Sequence, residues 1–97
     1  MELTSKQKSF LKAQAHHLKP VVSIGQKGLT DALYLETERA LTAHELIKVR
    51  FHEAEGLREA VIQLSERVDA ELIAVLGKNA ILYRQHPERP KLRLPRD

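Results

Sequence analysis

Among the residues of this chain, Gly25-Gln26-Lys27-Gly28 has the composition and spacing that best fit a chemical task. Two glycines three apart allow backbone torsions closed to other residues. They also remove side chains that would block a close approach. A polyanion can then lie against backbone N–H groups, with Lys27 supplying charge. A plain tight turn has the same composition, so the loop acquires meaning only from its surroundings.

Other chemistry is hard to assemble. There are five histidines. His16 and His17 are adjacent and point about a hundred degrees apart on a helix. His44, His52 and His86 fall on different elements, so no metal site is expected. Phe51-His52-Glu53-Ala54-Glu55 lacks the second histidine of a metalloprotease helix. Ser5, Ser9, Ser23 and Ser65 have no glycine elbow around them. Gly25 to Thr30 has the length of part of a P-loop, but Leu29 stands where the lysine belongs. The chain contains no cysteine, which removes thiol catalysis, thiolate metal sites and disulfides. Neither an enzyme nor a bound cofactor is expected.

A chain of 97 residues, 42% apolar and 30% charged, supports one soluble domain with a modest core. Phe10, Tyr34, Phe51 and Tyr83 are its whole aromatic set. That argues against a platform of stacked bases. The net charge of +3 is unevenly spread. Residues 1–30 carry +4, residues 31–71 carry −5 and residues 72–97 carry +4. Basic ends around an acidic middle can fold to one positive face, which attracts polyanions. The N-terminal residues do not read as a secretory signal. The longest apolar run, Leu72 to Leu76, is far short of a membrane span. A cytoplasmic monomer is the expectation.

The elements that position the loop follow from periodicity. Thr4 and Gln7 fit a capping box opening a first helix. Phe10, Leu11, Ala15 and Leu18 form its apolar stripe, with Lys8, Lys12 and Lys19 near another, and Pro20 ends it. Pro20 to Ile24 reads as a strand. After the loop, Thr30 caps a second helix that runs to about His44, with Asp31 in its first turn. Leu46 to Phe51 alternates, placing Ile47, Val49 and Phe51 on one face and Lys48 and Arg50 on the other. Leu57, Ala60, Val61, Leu64 and Val68 mark a third helix. Leu72 to Leu76 is expected as a central strand buried on both faces, and Gly77-Lys78-Asn79 as a turn into a strand from Ala80 to Arg84. The fold class is therefore α/β, in the order α-β-α-β-α-β-β, with a four-stranded mixed sheet and packed helices. Residues 1–84 form the domain. Residues 85–97 form a basic, proline-containing tail, extended or partly ordered.

Several segments together carry a resemblance. Ser5-Lys6-Gln7-Lys8, Leu11-Lys12, Ala15-His16, Lys19-Pro20-Val21-Val22, Gly25-x-x-Gly28-Leu29-Thr30, His44-Glu45-Leu46-Ile47-Lys48-Val49, Gly77-Lys78 and Leu82-Tyr83-Arg84 resemble, in order and spacing, the YhbY family. This is the stand-alone bacterial form of the CRM domain, named for chloroplast RNA splicing and ribosome maturation. The resemblance implies a fold similar to the C-terminal domain of translation initiation factor three. It also implies a non-catalytic RNA-binding protein associated with precursors of the large ribosomal subunit. Gly25 and Gly28 match the family's loop, and Gly-x-x-Gly loops clamp RNA backbone in KH modules. Lys8, Lys12 and Lys19 match basic positions of the first helix and its exit.

The candidate RNA-binding residues are thus Gly25, Gln26, Lys27 and Gly28, with Lys6, Lys8, Lys12, Lys19, Lys48, Arg50, Lys78 and Arg84 as the basic surround. Asp31 limits the geometry, because its carboxylate would repel a phosphate on the helix axis. Contact beside the helix is expected instead. Lys48 and Arg50 carry a condition: a helix packed on their face, the first above all, would occupy them. The alternative reading is an adaptor that docks on ribosomal proteins through its last strand or tail, with incidental RNA contact.

Overall fold

The structure, a computed structural model, describes residues 2–96. Seven elements follow in order: α1 (Ser5–Ala15), β1 (Val22–Ile24), α2 (Asp31–His44), β2 (Leu46–Phe51), α3 (Leu57–Arg67), β3 (Glu71–Leu76) and β4 (Asn79–Tyr83). Both helix starts read from the sequence are present. Thr4 Oγ1 accepts from the Gln7 N–H at 3.1 Å, and Gln7 Oε1 accepts from the Thr4 N–H at 3.0 Å. Thr30 Oγ1 accepts from the Leu33 N–H at 3.2 Å. Each bond satisfies a backbone donor that the helix leaves free.

The sheet order is β1-β2-β4-β3. β1 and β2 are parallel, joined through α2, while β4 is antiparallel to both its neighbours. Strands β1, β2 and β3 therefore run the same way.

Helices cover both sheet faces. α2 and α3 bury Leu33, Leu41, Val61 and Leu64 against Ile24, Ile47, Val49 and Leu82. α1 packs Leu11 and Ala15 on the opposite face, against Leu46, Ile81 and Tyr83. Alternation in β2 divides the two cores, as its period of two requires.

The structure corrects the place of β3, which is an edge strand and not the centre. Val75 and Leu76 are 40% and 44% exposed, whereas Ala80 to Tyr83 of β4 are 0% exposed. The turn at Gly77-Lys78, with Gly77 at φ +61°, folds β4 back into the slot beside β2. A bulge lies within the misleading run. The register passes from Leu72↔Leu82 to Ala74↔Ile81, leaving Ile73 as the extra residue. Ile73 and Ala74 both pack beneath α1. With α3 packed on its other face, β3 shows no alternation although it lies at the edge.

The first helix also stops earlier than Pro20. The His16 N–H turns back to Ala13 O at 3.2 Å and the Leu18 N–H to Ala15 O at 3.0 Å, a tightened final turn. Lys19 precedes a proline and is biased toward extended backbone. Lys19 thus leaves the helical stripe of Lys8 and Lys12. At the strand ends, β1 begins at Val22 and not Pro20, and β4 ends at Tyr83 and not Arg84.

Candidate nucleic-acid interface

Parallel β1 and β2 end side by side, and the β3–β4 turn lies at the same end. The His52 N–H donates to Ile24 O at 2.9 Å and the Phe51 N–H to Lys78 O at 2.8 Å. Lys78 Nζ donates to His52 O at 3.2 Å. One rim therefore gathers the Gly25–Gly28 loop, the His52–Gly56 segment and the Gly77-Lys78 turn. The N-termini of α2 and α3 open from it, because each follows one of these loops.

The loop itself is closed by the Gly28 N–H donating to Gly25 O at 3.1 Å. Gly28 adopts φ +70°, the left-handed region that favours glycine. Gly25 does not, and a Cβ built on it meets nothing within 4 Å. The turn therefore requires glycine at position 28 and not at 25, and the space outside is open at both. Gln26 and Lys27 are exposed. Asp31, just inside α2, lies 4.0 Å from Arg67 in a solvent-exposed pair. Such a pair contributes little, so the negative charge at the helix entrance persists.

The basic residues fall into separate groups. Lys78 and Arg50 join Lys27 near the rim. Arg50 pairs in register with Ser23 of β1 and Asn79 of β4, and it is exposed. α1 lies over β2, β4 and β3 rather than β1. That offset is why Arg50 escapes cover while Lys48, two residues back, is half-buried. Lys48 lines a groove of about 370 Å³ with Lys19, His44, Leu18 and Val21, beyond the end of α1. Lys6, Lys8 and Lys12 are exposed on α1, where Lys12 adjoins His16 and His17.

The comparisons with known proteins agree with this architecture. Residues 3–84 match the model of the CRS1 / YhbY (CRM) domain. The chain belongs to the CRM domain family. It is 41% identical over 90 residues to a protein of Pseudomonas aeruginosa named Probable RNA-binding protein, covering 91% of this chain and 86% of that one. A Haemophilus influenzae protein named RNA-binding protein is 42% identical over 96 residues, covering 97% of this chain and 96% of its own length. A solved solution structure from Staphylococcus aureus, described as an RNA-binding candidate, superposes with a TM-score of 0.82 at 32% identity. It covers 97% of this chain and 100% of that chain.

Within this CRM domain, Arg84 has a different task from the one its charge implied. Its guanidinium donates to Glu38 Oε1 and to Val68 O at 2.8 Å each, and to Thr42 Oγ1 at 3.1 Å. It ties the end of β4 to α2 and to the exit of α3. Five planar donors suit such a junction, and they leave the guanidinium committed to protein.

The residue that composition did not single out is Glu45. It appeared only inside the matching segment around β2. Its side chain is 0% exposed. The carboxylate accepts the backbone N–H groups of His86 and Lys91 at 2.7 Å and of Leu92 at 3.0 Å. Burial pushes its carboxyl upward. The three backbone donors and neighbouring His86 outweigh burial and hold the pKa below its ordinary 4.5. Glu45 also sits at φ +63°, rare for a side-chain-bearing residue. The tail is therefore fastened: Leu92 and Leu94 pack under α1, and Gln7 Nε2 donates to Pro95 O at 3.0 Å.

Among the described residues, no group of three or more His, Asp or Glu is placed to hold a metal ion. No helix among them is long and apolar enough to cross a membrane.

Proposed function

We propose that this CRM-domain chain binds RNA without catalysis, through the Gly25–Gly28 loop and the cations around its rim. The observation that carries this reading is the rim itself: a glycine loop with an open approach at Gly25, set among Lys27, Lys78 and Arg50. None of these three cations is in an ion pair among the described residues. The relatives' names, which refer to RNA binding, point the same way. The target is structured ribosomal RNA of large-subunit precursors during assembly, in keeping with the family resemblance. Lys6, Lys8, Lys12 and Lys19 extend the positive surface over α1 and its exit. Lys48 contributes in part, from the groove.

The adaptor alternative loses β4 as a free edge, while the basic side chains of the tail stay exposed. β4 is interior to the sheet, and the tail's backbone is held by Glu45. Binding of purified protein to bare ribosomal RNA tests the choice. With roughly five phosphates contacted, the affinity for single-stranded segments falls with a log–log salt slope near −3 to −4. Absence of binding at low salt, with ribosomal proteins captured instead, would favour the adaptor. Crosslinking in cells and sequencing of the bound RNA identifies the target.

A further inference from the structure

The two sides of the Gly25–Gly28 loop differ in electrostatics. On one side lie Ser23, Lys27 and Thr30, beside the start of α2, where the single carboxylate of Asp31 stands 4.0 Å from Arg67. On the other, a cleft of about 430 Å³ opens between the loop and α3. Its floor is apolar: Ile24, Leu29, Phe51, Leu57 and Ala60. Its polar lining is Glu53, Glu55, Gln26 and Gln63. No lysine or arginine lines it among the described residues. Both glutamates are exposed, and neither is ion-paired among those residues.

A phosphodiester is repelled by two free carboxylates and attracted by Lys27. The backbone of a bound strand therefore passes on the lysine side. Whatever crosses the loop into the cleft must have apolar faces and hydrogen-bond donors at its edge. An unpaired nucleobase meets both demands, and the size suits a small-molecule pocket. Among the four bases, guanine alone sets two donors, N1–H and an N2–H, side by side. They match the two oxygens of one carboxylate. Uracil offers a single N3–H between two acceptors. Adenine and cytosine each pair one amino group with a ring acceptor.

We propose that the cleft between the Gly25–Gly28 loop and α3 takes one unpaired guanine, read by the carboxylate of Glu53 or Glu55. The proposal rests on the RNA-binding reading above and adds a specificity to it. Gly25 permits the strand to cross closely, and Leu29 and Phe51 form part of the floor under the base. Acidic residues beside a polyanion site thereby act in selection, disfavouring bases that present acceptors.

Fluorescence anisotropy with short oligouridine RNAs tests this. One RNA is all uridine, one carries a single central guanosine, and one carries inosine, which lacks the 2-amino group. On the full chain, guanosine is expected to tighten binding on the order of tenfold over uridine, with inosine intermediate. In E53Q/E55Q that preference collapses toward unity, while oligouridine binds as well or better. Equal affinity for all three RNAs in the unsubstituted chain overturns the cleft assignment but leaves RNA binding intact. So does a guanosine preference that survives E53Q/E55Q. A preference abolished by EDTA assigns the carboxylates to a divalent cation and also overturns it. If no RNA binds, both readings fail together.

Discussion

Glu45 Oε2 accepts the backbone N–H of His86 at 2.7 Å, joining the junction of α2 and β2 to a segment 41 residues later. The other oxygen serves Lys91 and Leu92. A buried carboxylate with three backbone donors is a charge-assisted clamp. Glu45→Gln keeps one acceptor oxygen but turns an amide N–H₂ toward a neighbouring donor. It is expected to destabilise the chain by about 1.5–3 kcal/mol, measured by urea unfolding at neutral pH. The pKa of Glu45 is lowered on folding, so its stabilisation is fully present above the unfolded value of 4.5. It is lost as pH falls through the folded value. The gap between the two proteins should close as acid is added below 4.5. A constant gap down to the acid transition would show that the carboxylate's charge contributes nothing.

Arg84 supplies a control for the RNA interface. Its side chain is 22% exposed and its partner Glu38 44%, so solvent screens part of the pair. Arg84→Met still strands Val68 O and removes the tie to α2. A loss of about 1–2 kcal/mol in stability is expected, with RNA affinity at a temperature well below unfolding changed less than twofold. A large affinity loss in a fully folded variant would return Arg84 to the binding surface.

Much of the frame was legible because local chemistry and tertiary packing agree there. The caps at Thr4 and Thr30 and the alternation of Ile47, Val49 and Phe51 depend on near neighbours. β3 failed for the opposite reason. Its run of apolar residues is divided between faces by a bulge, and its edge position is decided by where β4 pairs. Lys48 and Arg50 share one strand face in any reading, but only the offset of α1 separates their exposure. Glu45 was illegible as a hub because its donors come from residues 86, 91 and 92, in a segment without periodicity. The acid-lined cleft needed the fold to bring the His52–Gly56 segment beside the glycine loop.

The two loop glycines should respond differently to alanine. Gly28→Ala places a side chain at φ +70°, costing roughly 1–2 kcal/mol. That corresponds to a Tm lower by about 4–8 °C per kcal/mol in a domain of this size. Gly25→Ala has no left-handed φ and no neighbour within 4 Å, so its Tm should hardly move. Its RNA affinity should nevertheless fall severalfold, because the new methyl projects into the open approach. A Gly25→Ala protein that binds RNA like the parent would limit the loop's role to that of a turn.

Lysines at the rim and on α1 should differ in the charge effect they exert. Lys27 stands on the loop, whereas Lys12 lies on the outer surface of α1, in a different layer from α2 and α3. On the proposed loop site a short strand would meet Lys27, and only a longer RNA that wraps the sheet would reach Lys12. With a short single-stranded RNA, Lys27→Glu should lower affinity and flatten the salt slope by about 0.7 for each phosphate no longer neutralised. Lys12→Glu should alter it little. With a long structured ribosomal RNA, both substitutions should weaken binding, and the double variant should show the sum, as separated sites do. Salt titrations of four proteins against two RNAs contain the whole comparison. Equal losses from Lys12→Glu and Lys27→Glu on the short RNA would move the primary RNA site from the loop to the first helix.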